Sequence, residues 1–227
     1  MEQRIHRGLD GLAKVSALFD RFGEVAPHGL AILATAPKRQ LLAGTSSRLD
    51  IFGDVPLVIV EEGHLVIRRR TRARKGACIV CYAGAGTLLT APEPVETIDA
   101  LEDARITLIS EETYAALLAH PDTARVLADA LRAAIRQKRD AIANLVGGRP
   151  VERVERALVQ LARDHGRVVR DGIRLDFPLT HELLAEMVGS ARETVSRAME
   201  SLESSGFVTR EGRSYRLQVD PDRFEEI

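Results

Sequence analysis

On either side of Gly189 the apolar residues recur at helical spacing: Leu183, Leu184, Met187 and Val188 before it, Val195, Ala198, Met199 and Leu202 after it. The spacing predicts two short amphipathic helices that share one core. Gly189 can take the left-handed conformation that ends the first helix. Thr180 can cap that helix, and Ser190 followed three residues later by Glu193 predicts a capping box on the second. Gly206 closes the second helix, after which Phe207–Arg210 and Ser214–Val219 read as strands turning through Glu211-Gly212-Arg213.

Upstream the pattern changes character twice. Leu9, Leu12, Val15, Leu18, Phe19 and Phe22 suit one or two short helices between residues 7 and 26. From Leu30 to Ile109 short apolar stretches are separated by Gly, Pro and Asp: Leu30–Leu33, Gln40–Leu42, Leu57–Val60, Leu65–Ile67, Cys78–Tyr82, Glu96–Ile98 and Arg105–Ile109. Such spacing predicts a small β-barrel or roll. A helix then begins near Ser110, and a second runs from about Pro121 to Val146, where Gly147-Gly148-Arg149-Pro150 breaks it. Along this helix Ala128, Leu131, Ile135, Lys138, Ile142 and Leu145 alternate spacings of three and four, which is a coiled-coil seam. Leu131, Ile135, Ile142 and Leu145 are its expected dimer contacts. The competing reading packs the helix on its own β-domain.

Composition narrows the classes. With 227 residues and 45% hydrophobic content the chain has room for two modest domains with real cores. No apolar run approaches the roughly 18 residues of a membrane span, and Met1–Arg7 lacks the apolar region of a signal peptide, so a cytoplasmic protein with no membrane association is expected. Cys78 and Cys81 are the only cysteines, too few for a disulfide framework or a four-cysteine cluster. On an extended strand their spacing sets them on opposite faces, as structural thiols. Of His6, His28 and His64 none has a spaced partner, so no metal site is expected. No nucleophile motif, Walker loop or zinc-type histidine spacing points to an enzyme.

The second helix of the pair carries the most specific chemistry. With its core face assigned, Arg192, Glu193, Ser196 and Arg197 fall together on the opposite face in the first two turns, where a recognition helix meets base edges. Arg can donate twice to guanine, and Glu can accept from cytosine. The alternative is a solvated face on which Glu193 and Arg197 form an i,i+4 pair. Pro150–Ile227 holds 12 Arg, no Lys and 15 acidic residues, a net charge of −3, which argues against a nonspecific, charge-driven binder. Specific binding then needs local arginines, with Arg167, Arg170, Arg174, Arg210, Arg213 and Arg216 as candidates. The full expected DNA-contact set is Arg192, Glu193, Ser196, Arg197, Thr180, Ser190, Thr194 and Arg213.

The order of strand-rich region, long helix, Gly-Gly hinge and winged helix-turn-helix resembles the cyclic-AMP receptor protein and fumarate-nitrate regulator (CRP/FNR) family, and Arg192-Glu-Thr-Val-Ser-Arg197 is similar to its recognition-helix motif. The resemblance implies an α+β fold: a β-roll of the cyclic-nucleotide-binding type (1–121), a dimerisation helix and hinge (122–148) and a winged helix-turn-helix (149–227). It implies a transcription regulator that binds double-stranded DNA as a homodimer on an inverted repeat and works with RNA polymerase. Residues matching Arg192, Glu193 and Arg197 read a TGTGA-type half-site in this family, whereas the TTGAT-reading branch carries Glu, Ser and Arg at the positions of Glu193, Ser196 and Arg197. The chain holds both sets, and Arg192 favours TGTGA.

The resemblance fails in the sensor. Cyclic-nucleotide binders of the family carry a Gly-Glu followed about ten residues later by an Arg beside a small hydroxyl residue. Here Ala83–Thr97 is shorter and holds no arginine, so an anionic nucleotide would meet Glu93 and Glu96 with no fixed cation beside them. Gly84 and Gly86 then serve a turn. No cofactor is expected and cyclic AMP is disfavoured, while haem, an apolar ligand or thiol oxidation stay open as signals, as does a protein-binding role for the winged helix. The basic stretch Arg68–Lys75, with six positive charges in eight residues, suits either an anion, DNA or acidic partner or a solvated hairpin tip.

Overall fold

A computed structural model describes residues 18–47, 55–70 and 77–218. The chain divides into two compact units, one of Ser16–Arg139 and one containing Asp140–Ile227. Among the described residues no helix is long and apolar enough to cross a membrane.

The first unit is a roll of two four-stranded antiparallel sheets. One has the order β1 (Lys38–Leu41), β8 (Ala104–Ile109), β3 (Leu57–Glu62), β6 (Leu88–Thr90); the other has β2 (Ser46–Ser47), β7 (Glu96–Ala100), β4 (Leu65–Arg70), β5 (Ala77–Ala83). Alternation along the strands builds the interior. Val58, Val60, Ile106 and Leu108 of the first sheet join Leu65, Ile67, Cys81 and Ile98 of the second in one buried cluster. The run Leu57–Val60 is apolar throughout because both faces of its strand are covered: Leu57 and Ile59 pack with a second cluster that includes Leu18, Phe22, Leu33, Leu117, Val126 and Leu127.

That second cluster draws on four helices, α1 (Leu18–Val25), α2 (Pro27–Thr35), α3 (Glu111–Leu118) and the long α4 (Pro121–Leu145). The α2 segment corrects the strand expected at Leu30–Leu33. A short apolar run fits a buried helix as well as a strand. Pro27 at the helix start and a Gly29 so close to Phe22 and Thr123 that a side chain would clash select the helix. The helix expected near Ser110 is present, with the Ser110 hydroxyl accepting from the Thr113 amide at 3.1 Å. The remainder of the 7–26 reading, together with His6 and residues 71–75, lies outside the described residues.

A bulge in β5 revises the cysteine reading. Cys78 pairs with Arg69 and Cys81 with Ile67, with the register shifting between them. Arg69 and Ile67 are two apart on β4 and share a face, so the bulge brings both cysteines to one side of the strand rather than to opposite sides. Both are free thiols, Cys78 half-buried and Cys81 buried.

The second unit joins three helices to a four-stranded antiparallel sheet of order β11 (Val208–Glu211), β12 (Ser214–Leu217), β10 (Gly172–Leu175), β9 (Arg167–Val169). Helix α5 (Pro150–His165) opens with Pro150, and the Glu152 carboxylate accepts from the Arg149 amide at 2.9 Å. It buries Val154, Ala157, Leu158, Leu161 and Ala162. The last turn of α4 belongs to this unit: Asn144 donates to Gln160 at 2.7 Å, and Arg163 pairs with Asp140. Hairpin β9–β10 was not anticipated, although Arg170-Asp171-Gly172 between Val168-Val169 and Ile173 carries a turn signal. Gly172, at φ +132, is required there, because a Cβ would lie 2.0 Å from the Leu217 carbonyl oxygen.

Candidate nucleic-acid interface

The helix pair is α6 (His181–Val188) and α7 (Arg192–Ser204). Leu183, Leu184, Met187 and Val188 of the first and Val195, Ala198, Met199 and Leu202 of the second are buried, as the apolar spacing requires. The Thr180 hydroxyl accepts from the Leu183 amide at 3.1 Å, and Gly189 ends α6 at φ +60. The expected capping box does not form. Helix α7 begins one residue later than a Ser190 cap would set it: Ala191 is its N-cap, and the Ala191 carbonyl accepts from the Thr194 and Val195 amides. Ser190 instead accepts from the Arg153 guanidinium at 2.8 Å, which ties the turn to α5.

Core packing on one side of α7 leaves Arg192, Glu193 and Arg197 exposed on the other, with Thr194 and Ser196 half-exposed. Among the described residues no ion pair joins Glu193 to Arg197, although their spacing permits one. The wing folds from β11 and β12 with Gly212 and Arg213 at its tip; its first strand starts one residue later than expected, and Val219 lies outside the described residues. An open groove of about 800 Å³ runs between the helix pair and the wing, lined by Pro178, Leu179, Thr180, His181, Glu182, Arg192, Arg210, Arg213 and Tyr215.

The six other arginine candidates separate by location. Arg210 and Arg213 are exposed on the wing and line the groove. Arg174 and Arg167 pair with Asp176 at 2.5 and 3.0 Å, and Arg216 with Glu211 at 2.6 Å. Those three arginines answer carboxylates on the sheet or directly after it, Asp176 following β10 and Glu211 ending β11. Arg170 is exposed at the β9–β10 turn.

Two groove residues escaped the sequence reading. His181 lies between the elements: its Nδ1 is 2.9 Å from the Ser196 hydroxyl and its Nε2 is 3.4 Å from the Tyr215 hydroxyl. Burial, partly offset by Arg210, pushes the Tyr215 phenol above its usual range and keeps it protonated. The sequence marks Ser196 but gives no signal that His181 and Tyr215 join it, since the three come from separate elements.

The match to known sequences falls on this unit. Residues 152–227 match the family model of the Crp-like helix-turn-helix domain. Within a 99-residue alignment the chain is 33% identical to the global nitrogen regulator of Synechocystis sp., covering 44% of each chain. The chain thus matches less than half the length of that curated relative. Solved structures extend the likeness beyond the Crp-like domain. A cyclic nucleotide-binding domain containing protein from Listeria monocytogenes covers 85% of this chain and 96% of its own at TM-score 0.72 and 17% identity. A CRP/FNR-family transcriptional regulator from Thermus thermophilus covers 84% and 97% at TM-score 0.59 and 21% identity. The fold ahead of the Crp-like domain is therefore the β-roll of the cyclic-nucleotide-binding type.

In that roll, Gly84 and Gly86 sit in the turn after β5, where the Thr87 hydroxyl accepts from the Gly84 amide at 3.2 Å. The expectation that Glu93 and Glu96 have no fixed cation is overturned. Arg69, 24 residues before Glu93, lies 3.0 Å from Glu93 and 3.6 Å from Glu96. Arg68 pairs with Asp99, so two of the three described arginines at the start of the basic stretch answer acidic residues of the roll, while Arg70, at the end of β4, is exposed. His64 lies 2.6 Å from Glu102, and the His28 ring meets the His120 ring at 4.4 Å. Among the described residues no group of three or more His, Cys, Asp or Glu is arranged to hold a metal.

On α4, Leu131 packs partly against the roll's helix cluster, whereas Ile135 and Ile142 are 58% and 62% exposed. Leu145 is half-buried, Lys138 is exposed, and Val146, just past the helix, is 69% exposed.

Proposed function

We propose that this protein is a non-enzymatic transcription regulator that reads double-stranded DNA as a homodimer on an inverted repeat of TGTGA-type half-sites. It acts in the cytoplasm with RNA polymerase as its partner, and divides its work among a sensor roll (1–121), a dimerisation helix and hinge (122–148) and a DNA reader (149–227). The observation that carries the reading is the exposure of Arg192, Glu193 and Arg197 on the first two turns of α7 while the same helix buries Val195, Ala198, Met199 and Leu202. Arg213 and Arg210 border the same groove, where they suit phosphate contacts. Thr180, at the start of α6, and Ser190 and Thr194, near the start of α7, complete the proposed set, with Ser196 between the two arginines.

The homodimer rests on Ile135 and Ile142, exposed apolar side chains seven residues apart on one helix. Leu131 and Leu145 flank them as smaller contributors, each partly buried within the chain. A cyclic nucleotide is not the signal in the usual mode: Ala83–Thr97 has no arginine, and Arg69 is already held by Glu93 and Glu96.

Selection from a random double-stranded DNA library, followed by sequencing, tests the proposal. An enriched inverted repeat is the expected result. A library with no enriched repeat would overturn it and favour a winged helix that binds protein. Sedimentation of wild type and of an Ile135→Glu, Ile142→Glu variant tests the dimer, with loss of the dimer species expected only in the variant.

A further inference from the structure

Ser196 sits one turn beyond Arg192 and Glu193 on α7, so the three share a face. A serine hydroxyl is ambiguous as a reader of bases, because it can either donate or accept. In this protein its neighbours remove the ambiguity. Its oxygen is 2.9 Å from His181 Nδ1, and the other ring nitrogen of His181 is 3.4 Å from the Tyr215 hydroxyl.

A neutral imidazole has one donor and one acceptor nitrogen, so the group at one end fixes the tautomer seen at the other. Tyr215 is a buried core ring whose phenol keeps its proton, and that proton needs an acceptor. If the phenol donates to Nε2, Nδ1 carries the ring proton and donates to Ser196 Oγ. The serine proton must then point elsewhere, out of the helix face. In the opposite tautomer Nε2–H would donate to the phenol oxygen, and the phenol proton would have no protein acceptor among the described residues at this half-buried site.

We infer that His181 and Tyr215 are positioning residues that make Ser196 a hydrogen-bond donor toward DNA, so that it selects a base presenting an acceptor in the major groove. Thymine O4, guanine O6 and guanine or adenine N7 are such acceptors, whereas cytosine presents only an amino donor there. The inference rests on the proposed DNA-reading function and assigns the source of specificity at one base pair within it.

The test uses full-length protein and a library in which one half-site is randomised position by position. Wild type, Ser196→Ala, His181→Ala, Tyr215→Phe and the Ser196→Ala, His181→Ala double variant are compared, with thermal unfolding as a check on folding. Wild type should prefer an acceptor base over cytosine at one position by about tenfold, and Ser196→Ala should flatten that position alone. His181→Ala should reduce the same preference to about twofold and leave every other position unchanged, a result that a general loosening of the fold would not give. Tyr215→Phe keeps the ring and should have the smaller effect, in line with its longer contact, and serves as the probe if His181→Ala does not fold. The double variant should match Ser196→Ala alone. A His181→Ala or Tyr215→Phe profile that falls equally at all positions, or that matches wild type while Ser196→Ala differs, would overturn the relay and leave the DNA-reading function standing. A wild-type protein that enriches no sequence overturns that function itself.

Discussion

The two units of this chain bury similar apolar cores but place their arginines differently. In the roll, Arg68 faces Asp99, Arg69 faces Glu93 and Glu96, and Arg105 faces Glu61 and Glu62, so three of the five described strand arginines answer carboxylates of the same unit, while Arg39 and Arg70 are exposed. In the winged helix the arginines divide. Arg167, Arg174 and Arg216 are paired on the sheet with Asp176 and Glu211, while Arg192, Arg210 and Arg213 line one open groove. A segment with a net charge of −3 can thus present a cationic groove, because neutralisation is local. Total charge misleads here, and the partition of charge between sheet and groove carries the information.

The cores give the largest expected effects and the control for the comparison. Leu184 and Ile98 are each fully buried, one in each unit. Truncation of either to alanine should cost about 2–5 kcal/mol. In denaturant unfolding both variants should be weakened to a similar degree. Only Leu184→Ala should also lose DNA retention when the protein is still mostly folded, since it sits under the helix pair. Equal loss of DNA binding in Ile98→Ala would show that the roll contributes to reading as much as the winged helix does.

Groove arginines should sort by what they touch. Arg192→Ala should weaken binding to the selected site by about 1–3 kcal/mol and relax one base position. Arg213→Ala should weaken all sequences about uniformly and lower the salt slope of log affinity by about one. Titrations at several salt concentrations on the selected site and on an unrelated duplex separate the two. Arg174→Ala, on the paired side of the sheet, should leave the salt slope unchanged, and a fall there as large as for Arg213→Ala would break the division drawn above. Gly189→Ala comes next: a left-handed alanine costs about 1–2 kcal/mol. It should lower the thermal midpoint and spare the base preference.

How much of this could be read from the chain differs between the two units for the same physical reason. The helix pair repeats at helical spacing over many residues and is bounded by Thr180 and Gly189, whose conformational needs are local, so its existence and core were legible. The Ser190 cap was misread because a capping box is a local option, and the Arg153 guanidinium, 37 residues away, takes that hydroxyl instead. The roll depends on pairings far apart in sequence. That is why Leu30–Leu33 could pass for a strand, why the bulge between Cys78 and Cys81 gave no warning, and why Arg69 was not foreseen beside Glu93. His181 and Tyr215 were illegible beside Ser196 for the same reason: each is unremarkable within its own element, and only the fold brings them to the serine.

The smallest expected effect sharpens the claim that charge in the roll is structural. Arg21 of α1 donates to Asp129 of α4 at 2.6 Å, and this bond, ahead of the opposing effect of burial, holds the Asp129 carboxyl below its usual range. A carboxyl depressed in the folded state stabilises the protein above its unfolded pKa of about 4, and that contribution disappears as pH falls through the lower folded value. Both side chains are partly in water, 39% and 30% exposed, so the pair is worth about 0–1 kcal/mol. Asp129→Asn should therefore lower the unfolding midpoint slightly at pH 7, and the gap to wild type should close as the pH is taken down toward 3. DNA affinity at pH 7 should not change. A gap that persists at the acid end would mean that Asp129 contributes through packing on α4 rather than through its charge, and the contrast between paired charge in the roll and groove-facing charge in the winged helix would lose one of its supports.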